Sequence, residues 1–340
     1  MQIKSQKKSI RHILMTVAGV LALLMSGTDI CAQNSATPEQ VYAKRLISRD
    51  RLMKQISFLC DTLCEGRGTA QKGGGIAGIW LEREFERIGL MKSGISYAKP
   101  VELGTGRYGR NIIGMLPGKN DKYIIIGAHY DHIGKLGKKI YPGADANASG
   151  VAALLSIAEI FATCRTLGKE MASNVIFVAF DAKEQNMAGS NALWEMLRKG
   201  ELTDPVSGRK ITRDKIRLMA NIDQIGCTSS PLKSGRKDYM IMLGNNSLHP
   251  SRRNMLQTCN SHYAIDMDID YTYYGSKNFT QMFYRLSDQR VFIDNGIPSV
   301  LFTSGITMNT NKTYDKPETI DLEILQKRVF LIYHWVDRML

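Results

Sequence analysis

A chain of 340 residues, 44% hydrophobic and 23% charged, carries enough apolar material for one large packed domain, and this composition excludes a disordered or fibrous protein. The formal charge of +13 is spread over small clusters (Lys135, Lys138 and Lys139; Arg209 to Lys215; Arg252 and Arg253) without the aromatic and basic interleaving that grips nucleic acid. A solvated basic surface is expected, and no nucleic-acid partner.

The first 32 residues read as a secretory signal. Lys4, Lys7, Lys8 and Arg11 form a basic start, Ile13 to Met25 an apolar stretch too short to span a bilayer, and small residues lead to a cleavage point after Ala32. Asp29 and Ile30 before Cys31 argue against lipid attachment. Export to a periplasm or the cell exterior is expected, with residues 33–340 as a single domain. Losing four cations and Asp29 brings the formal charge to +10. No second stretch approaches transmembrane length, so no membrane span is expected after processing. Five cysteines remain, an odd number, so at least one thiol is free. Cys60 and Cys64 lie one helical turn apart, which suits neighbouring thiols better than a bridge.

Residues 33–52 read as a polar lead-in that turns helical. From Leu52 to Leu90 the periodicity is mostly helical, broken by Gly66, Gly68 and Gly73 to Gly75, with a second helix over 76–88 that turns Ile79, Phe85 and Ile88 inward. Residues 33–100 are thus expected as a mostly helical part packed on the rest. Apolar runs then predict strands at 111–116, 123–128, 174–180, 216–222, 239–243 and 298–302. Between them, helices are predicted at 149–163 (capped by Asn147), 189–198, 251–262 and 321–339. The alternation predicts an α/β fold, a mainly parallel central sheet covered by helices on both faces, with ligands at the carboxyl ends of the strands.

Chemistry-bearing residues gather at those ends. His129 and Asp131 leave the strand at 123–128, Glu184 follows the strand at 174–180, and Asp223 follows the strand at 216–222. Three strand ends bringing a histidine and three carboxylates to one mouth favour a site over scattered polar loop residues.

Here the sequence resembles the secreted zinc aminopeptidases of peptidase family M28, to which glutaminyl cyclases are related. The resemblance rests on Gly127-Ala-His-Tyr-Asp-His-Ile-Gly134, Pro142-Gly-Ala-Asp-Ala-Asn-Ala-Ser-Gly150, Phe180-Asp-Ala-Lys-Glu184 and Asn221-Ile-Asp223. Glu65-Gly-Arg67 and Gly296-Ile-Pro298 extend it from about Leu59 to the C-terminus. It implies a zinc-exopeptidase-like α/β/α sandwich and two zinc ions joined by a carboxylate. One ion is completed by His and Asp, the other by Glu and His, with a second Glu as general base.

By that resemblance His129, Glu184 and Asp223 are the remnant metal ligands, and Asp131 orients His129 from behind. The other positions depart. Ala146 stands at the bridging carboxylate, with Asp145 one residue early on a turn that points it elsewhere. Lys183 stands at the general base and Asn311 at the last histidine; Ser287-Asp288-Gln289 replaces Ser-Asp-His. An ammonium ~5 Å from a dication is repelled by roughly 7 kcal/mol at an effective dielectric of ~20. Zinc is therefore expected to be weak or absent, and no catalytic residue is intact. Lys183, paired with Glu184 or Asp223, would fill the charge void.

The favoured reading is an exported pseudopeptidase that binds a peptide or another small ligand in the strand-end pocket. The alternative is an active metallo-aminopeptidase with a reduced single-zinc site, helped by His132. A single-zinc glutaminyl cyclase ranks third, because it needs the groups missing at 146 and 311. Tyr271, Tyr273, Tyr274, Phe279, Phe283 and Tyr284 form an aromatic segment read equally as a rim of the mouth or as ordinary packing.

Overall fold

The computed structural model describes residue 43 and residues 45–340 except 105, 231 and 233. The expected signal, residues 1–32, lies outside the described residues.

Two helices come first. Helix α1 (Arg49–Leu59) is capped by Ser48, whose hydroxyl accepts from Arg51 N. Helix α2 (Lys72–Ile88) starts earlier than periodicity predicts, so Gly73 to Gly75 lie inside it. Crowding explains the first two: a Cβ on Gly73 would stand 2.0 Å from the Cys64 carbonyl oxygen, and one on Gly74 2.3 Å from that of Gly68. Phe85 and Ile88 are buried as expected, but Ile79 faces outward and is 47% exposed. Cys60 and Cys64 do not share a helix, since α1 ends at Leu59 and Cys64 sits in a separate 3-10 turn. All five described cysteines are free thiols.

The strands are β1 (Ala98–Glu102), β2 (Tyr108–Leu116), β3 (Tyr123–His129), a hairpin of β4 (Gly134–Leu136) and β5 (Lys139–Tyr141), β6 (Asn174–Phe180), a second hairpin of β7 (Leu202–Thr203) and β8 (Lys210–Ile211), β9 (Ile216–Ile222), β10 (Tyr239–Leu243), β11 (Asp268–Asp270) and β12 (Ser299–Thr303). Eight form the central sheet in the order β1-β2-β6-β3-β9-β12-β10-β11. Its middle, β6-β3-β9-β12, is parallel, while β1, β2 and β10 join antiparallel. Strands β3 and β6 are buried along their whole length. That double-faced burial is why they read as unbroken apolar runs. Strand β1 enters the sheet at residue 98, so the helical N-terminal part stops short of residue 100.

Helices α3 (Ser149–Thr166), α4 (Ala188–Lys199), α5 (Met255–His262), α6 (Lys277–Tyr284), α7 (Arg290–Asp294) and α8 (Leu322–Met339) complete the described elements. One buried cluster joins α1, α2, α3 and α8 to one face of the sheet, and a second packs α4 against the other. Within Ala144–Thr166 an 18-residue window has a mean hydropathy of 1.4, so a second stretch does reach spanning length and apolarity. Of that window 83% is buried in the protein's own core, which accounts for its composition.

Candidate functional site at the strand ends

Because β6, β3 and β9 are adjacent and parallel, their carboxyl ends open side by side. His129 ends β3 and is buried. Its Nδ1 lies 3.0 Å from the Asp131 backbone carbonyl, and its Nε2 lies 3.2 Å from Asp223 Oδ1. Burial and Lys183 oppose a charged imidazole, yet Asp223 and Asp131 together outweigh them and lift the His129 pKa to about 10. Burial likewise opposes the Asp223 carboxylate, but His129 and Lys183 hold it well below the usual range. Its Oδ2 accepts from Ser287 Oγ at 2.6 Å.

Asp131 serves differently from expectation. Its carboxylate is 3.6 Å from His129 Nδ1, too long for a good hydrogen bond, and the nearer contact is its carbonyl. The carboxylate instead receives the backbone N–H groups of Lys183 and Glu184, both at 3.0 Å, and so pins the loop after β6. On that loop Lys183 Nζ donates to Glu184 Oε1 at 3.1 Å. Burial works against its charge, but Asp223 and Glu184 outweigh this and keep the ammonium protonated above the ordinary lysine range.

The turn ahead of α3 supplies the third wall. Asp315 accepts from Asp145 N at 2.9 Å and Ala146 N at 3.1 Å, which fixes the backbone there. The Ala146 methyl faces the cavity. Asp145 points away from it: its Oδ1 accepts from Gly226 N at 2.7 Å and Cys227 N at 3.2 Å. Burial, reinforced by Asp315, lifts its pKa to about 6. Asn147 is not the formal cap of α3, which is Ala148, but its Oδ1 accepts from Gly150 N at 3.1 Å and Gln224 N at 2.9 Å. Its amide thus ties the start of α3 to the exit of β9.

The structure brings Ala146, Lys183, Asp223 and Asn311 together as lining of a cavity of about 120 Å³. Tyr273 and Phe283 line it too, stacked with ring centroids 3.7 Å apart. Other members of the aromatic segment pack elsewhere: Tyr274 donates to the Ser304 carbonyl at 3.0 Å. His132 is buried, does not line the cavity, and both ring nitrogens are without a hydrogen-bond partner. Burial and Arg67 hold its pKa well below the ordinary value.

Sequence reasoning missed part of this site. Gln224 and Thr310 also line the cavity, joined by a 2.9 Å hydrogen bond. Position just past β9 was the available signal for Gln224; nothing marked Thr310. Gln289 is a strut, its Oε1 accepting from Asn221 Nδ2 at 2.8 Å while the same amide donates to Ser287. Arg67 is fully buried and donates to the carbonyls of Leu59, Tyr130, Pro142 and Gly143 at 2.6–2.8 Å. Its place in a short motif was visible, but not that it holds the loop leading to Ala146.

These side chains do not fit a two-zinc centre. His129 and Asp223 bond each other, Glu184 is engaged by an ammonium, Ala146 offers no donor atom, and Asn311 offers an amide. Among the described residues no group of three or more His, Cys, Asp or Glu side chains is placed to hold a metal ion.

Comparison with known proteins places this geometry in a family. The chain is similar to Leucine aminopeptidase 1 of Aspergillus oryzae, 25% identical over 237 residues, which cover 68% of this chain and 56% of that protein. The Aspergillus fumigatus protein of the same name is 26% identical over 252 residues, covering 68% and 55%. The chain thus spans about half the length of these curated relatives. Among solved structures it is similar to LapB from Legionella pneumophila, with a TM-score of 0.67 at 16% identity, covering 89% of this chain and 75% of that one. Porphyromonas gingivalis glutaminyl cyclase gives 0.60 at 17% identity, covering 87% and 99%. These structural likenesses concern the fold alone. The profile of Peptidase family M28 matches residues 111–336. That match takes in every strand end described above, and the chain belongs to Peptidase family M28.

Proposed function

We propose that this protein is a non-catalytic member of the family, a pseudopeptidase that keeps the strand-end pocket as a binding site for a peptide or another small ligand. The observation that carries the reading is the convergence of Ala146, Lys183 and Asn311 on one cavity, with Lys183 bonded to Glu184. A methyl group, an ammonium and an amide occupy the positions where family resemblance puts a bridging carboxylate, a general base and an imidazole. A protonated lysine cannot take a proton from water, and its charge opposes a nearby dication. The leucine aminopeptidase relatives support a peptide as the ligand class. The N-terminal sequence supports export to a periplasm or the cell exterior; the burial of Ala144–Thr166 in the core supports no membrane span afterwards, and the thin spread of positive charge supports no nucleic-acid partner.

The test is elemental analysis of purified protein dialysed against zinc, alongside hydrolysis of aminoacyl p-nitroanilides. Substoichiometric zinc and no turnover are expected. Stoichiometric zinc with aminopeptidase turnover would overturn the reading in favour of the reduced single-zinc enzyme.

A further inference from the structure

Lys183 brings an ammonium with unused N–H groups to the cavity, and we infer that the cavity takes a carboxylate end of its ligand rather than the α-ammonium end that an aminopeptidase substrate presents. This rests on the binding reading above and adds the polarity of the ligand.

Lys183 gives one of its three N–H groups to Glu184, and the other two have no protein partner among the described residues. Gln224 is oriented the same way. Thr307 N donates into the Thr310 hydroxyl at 3.0 Å, and that hydroxyl donates to Gln224 Oε1. The amide oxygen is therefore turned to Thr310, and Nε2 is left as a donor. Asn311 adds a side-chain amide without a protein partner among the described residues.

Negative charge is limited. Among the described residues Asp223 is the sole carboxylate lining the cavity, and each of its oxygens already accepts one bond, from His129 and from Ser287. Glu184 does not line it. Asp131 is turned to the backbone N–H groups of Lys183 and Glu184, so an incoming carboxylate meets donors and not a bare negative wall. An ammonium group would meet the Lys183 ammonium instead.

Lys312 and Lys316, which follow Asn311 in the chain, are exposed and pair with no carboxylate among the described residues. A cavity of about 120 Å³ lies well below the ~300–1,000 Å³ of sites that enclose a whole drug-sized ligand. One end group enters, and the rest lies across the exposed Phe279, Met282 and Leu286 beside the Tyr273–Phe283 stack.

Calorimetry on the processed protein with two probes tests this. N-acetyl-Ala-Leu has a free carboxylate and no amine; Ala-Leu-amide has a free amine and no carboxylate. The acetylated probe is expected to bind at least about tenfold tighter, Lys183→Gln to remove that advantage, and Lys183→Arg to keep most of it. Preference for Ala-Leu-amide, or Lys183→Gln leaving the acetylated probe unaffected, overturns the inference while a binding site stands. Binding of neither probe overturns both readings. The comparison on the unaltered chain decides the matter even if Lys183→Gln does not fold.

Discussion

His129 Nε2 stands 3.2 Å from Asp223 Oδ1, and the pair is gripped from both sides, by the Asp131 carbonyl on the histidine and the Ser287 hydroxyl on the carboxylate. Two side chains that resemblance assigns to a metal ion are each other's partner. Removing one leaves the other as a buried, uncompensated charge. Asp223→Ala is expected to cost about 3–5 kcal/mol in urea denaturation, and a His129→Leu/Asp223→Leu double variant to recover most of it. Equal loss in both would show that the pair does not act as a unit.

Rebuilding the missing groups is the converse experiment. Ala146→Asp, Lys183→Glu and Asn311→His all alter the lining of the cavity that Asp223 shares. The triple variant is expected to bind zinc at least about 100-fold more tightly than the parent, as read by competition with a chelator. Lys183→Glu alone should give little, since it removes a repelling charge without supplying the bridge.

Arg67 makes a strong demand on its surroundings. Its guanidinium satisfies four carbonyls in a site with no solvent exposure. Arg67→Ala should lose on the order of 4 kcal/mol or fail to accumulate as folded protein. Arg67→Lys should rescue little, because an ammonium has at most three donors and no planar fork.

Asp288 should make stability depend on pH. Its carboxyl is fully buried, and burial lifts its pKa to about 7, with Asp131 and Asp223 adding and His129 opposing. The ordinary value is about 3.9. Between those values the folded chain holds a proton that the unfolded chain has released. Stability from this group therefore falls as pH rises from about 4 to about 7. Urea midpoints across that range should fall less steeply for Asp288→Asn than for the parent.

The central strands were legible because burial on both faces writes them as unbroken apolar runs, as in β3 and β6. Their parallel order then predicts that His129, Glu184 and Asp223 meet at one mouth. What escaped depends on partners distant in sequence. Strands β1 and β11 sit at the sheet edges, where burial is partial and the apolar pattern weak. Helix α6 has no buried residue, so its apolar side chains read as an aromatic segment without a role. Ile79 has the right helical spacing to face inward, but α2 turns a wider exposed face to solvent than periodicity implies. The local residue order revealed Lys183 as a replacement that would pair with Glu184 or Asp223, and it bonds Glu184; the choice between the two and the turning of Asp131 toward the backbone did not follow from spacing alone.

Arg67 also bears on how such a chain arises. The loop carrying Ala146 is suspended from a fixed cation through main-chain carbonyls, and Asp315 holds the following turn through main-chain N–H groups. Neither anchor uses a group that a metal would need. The path of the backbone through position 146 is therefore set apart from the side chains at 146, 183 and 311, and those three can differ without altering the groups that hold the loop.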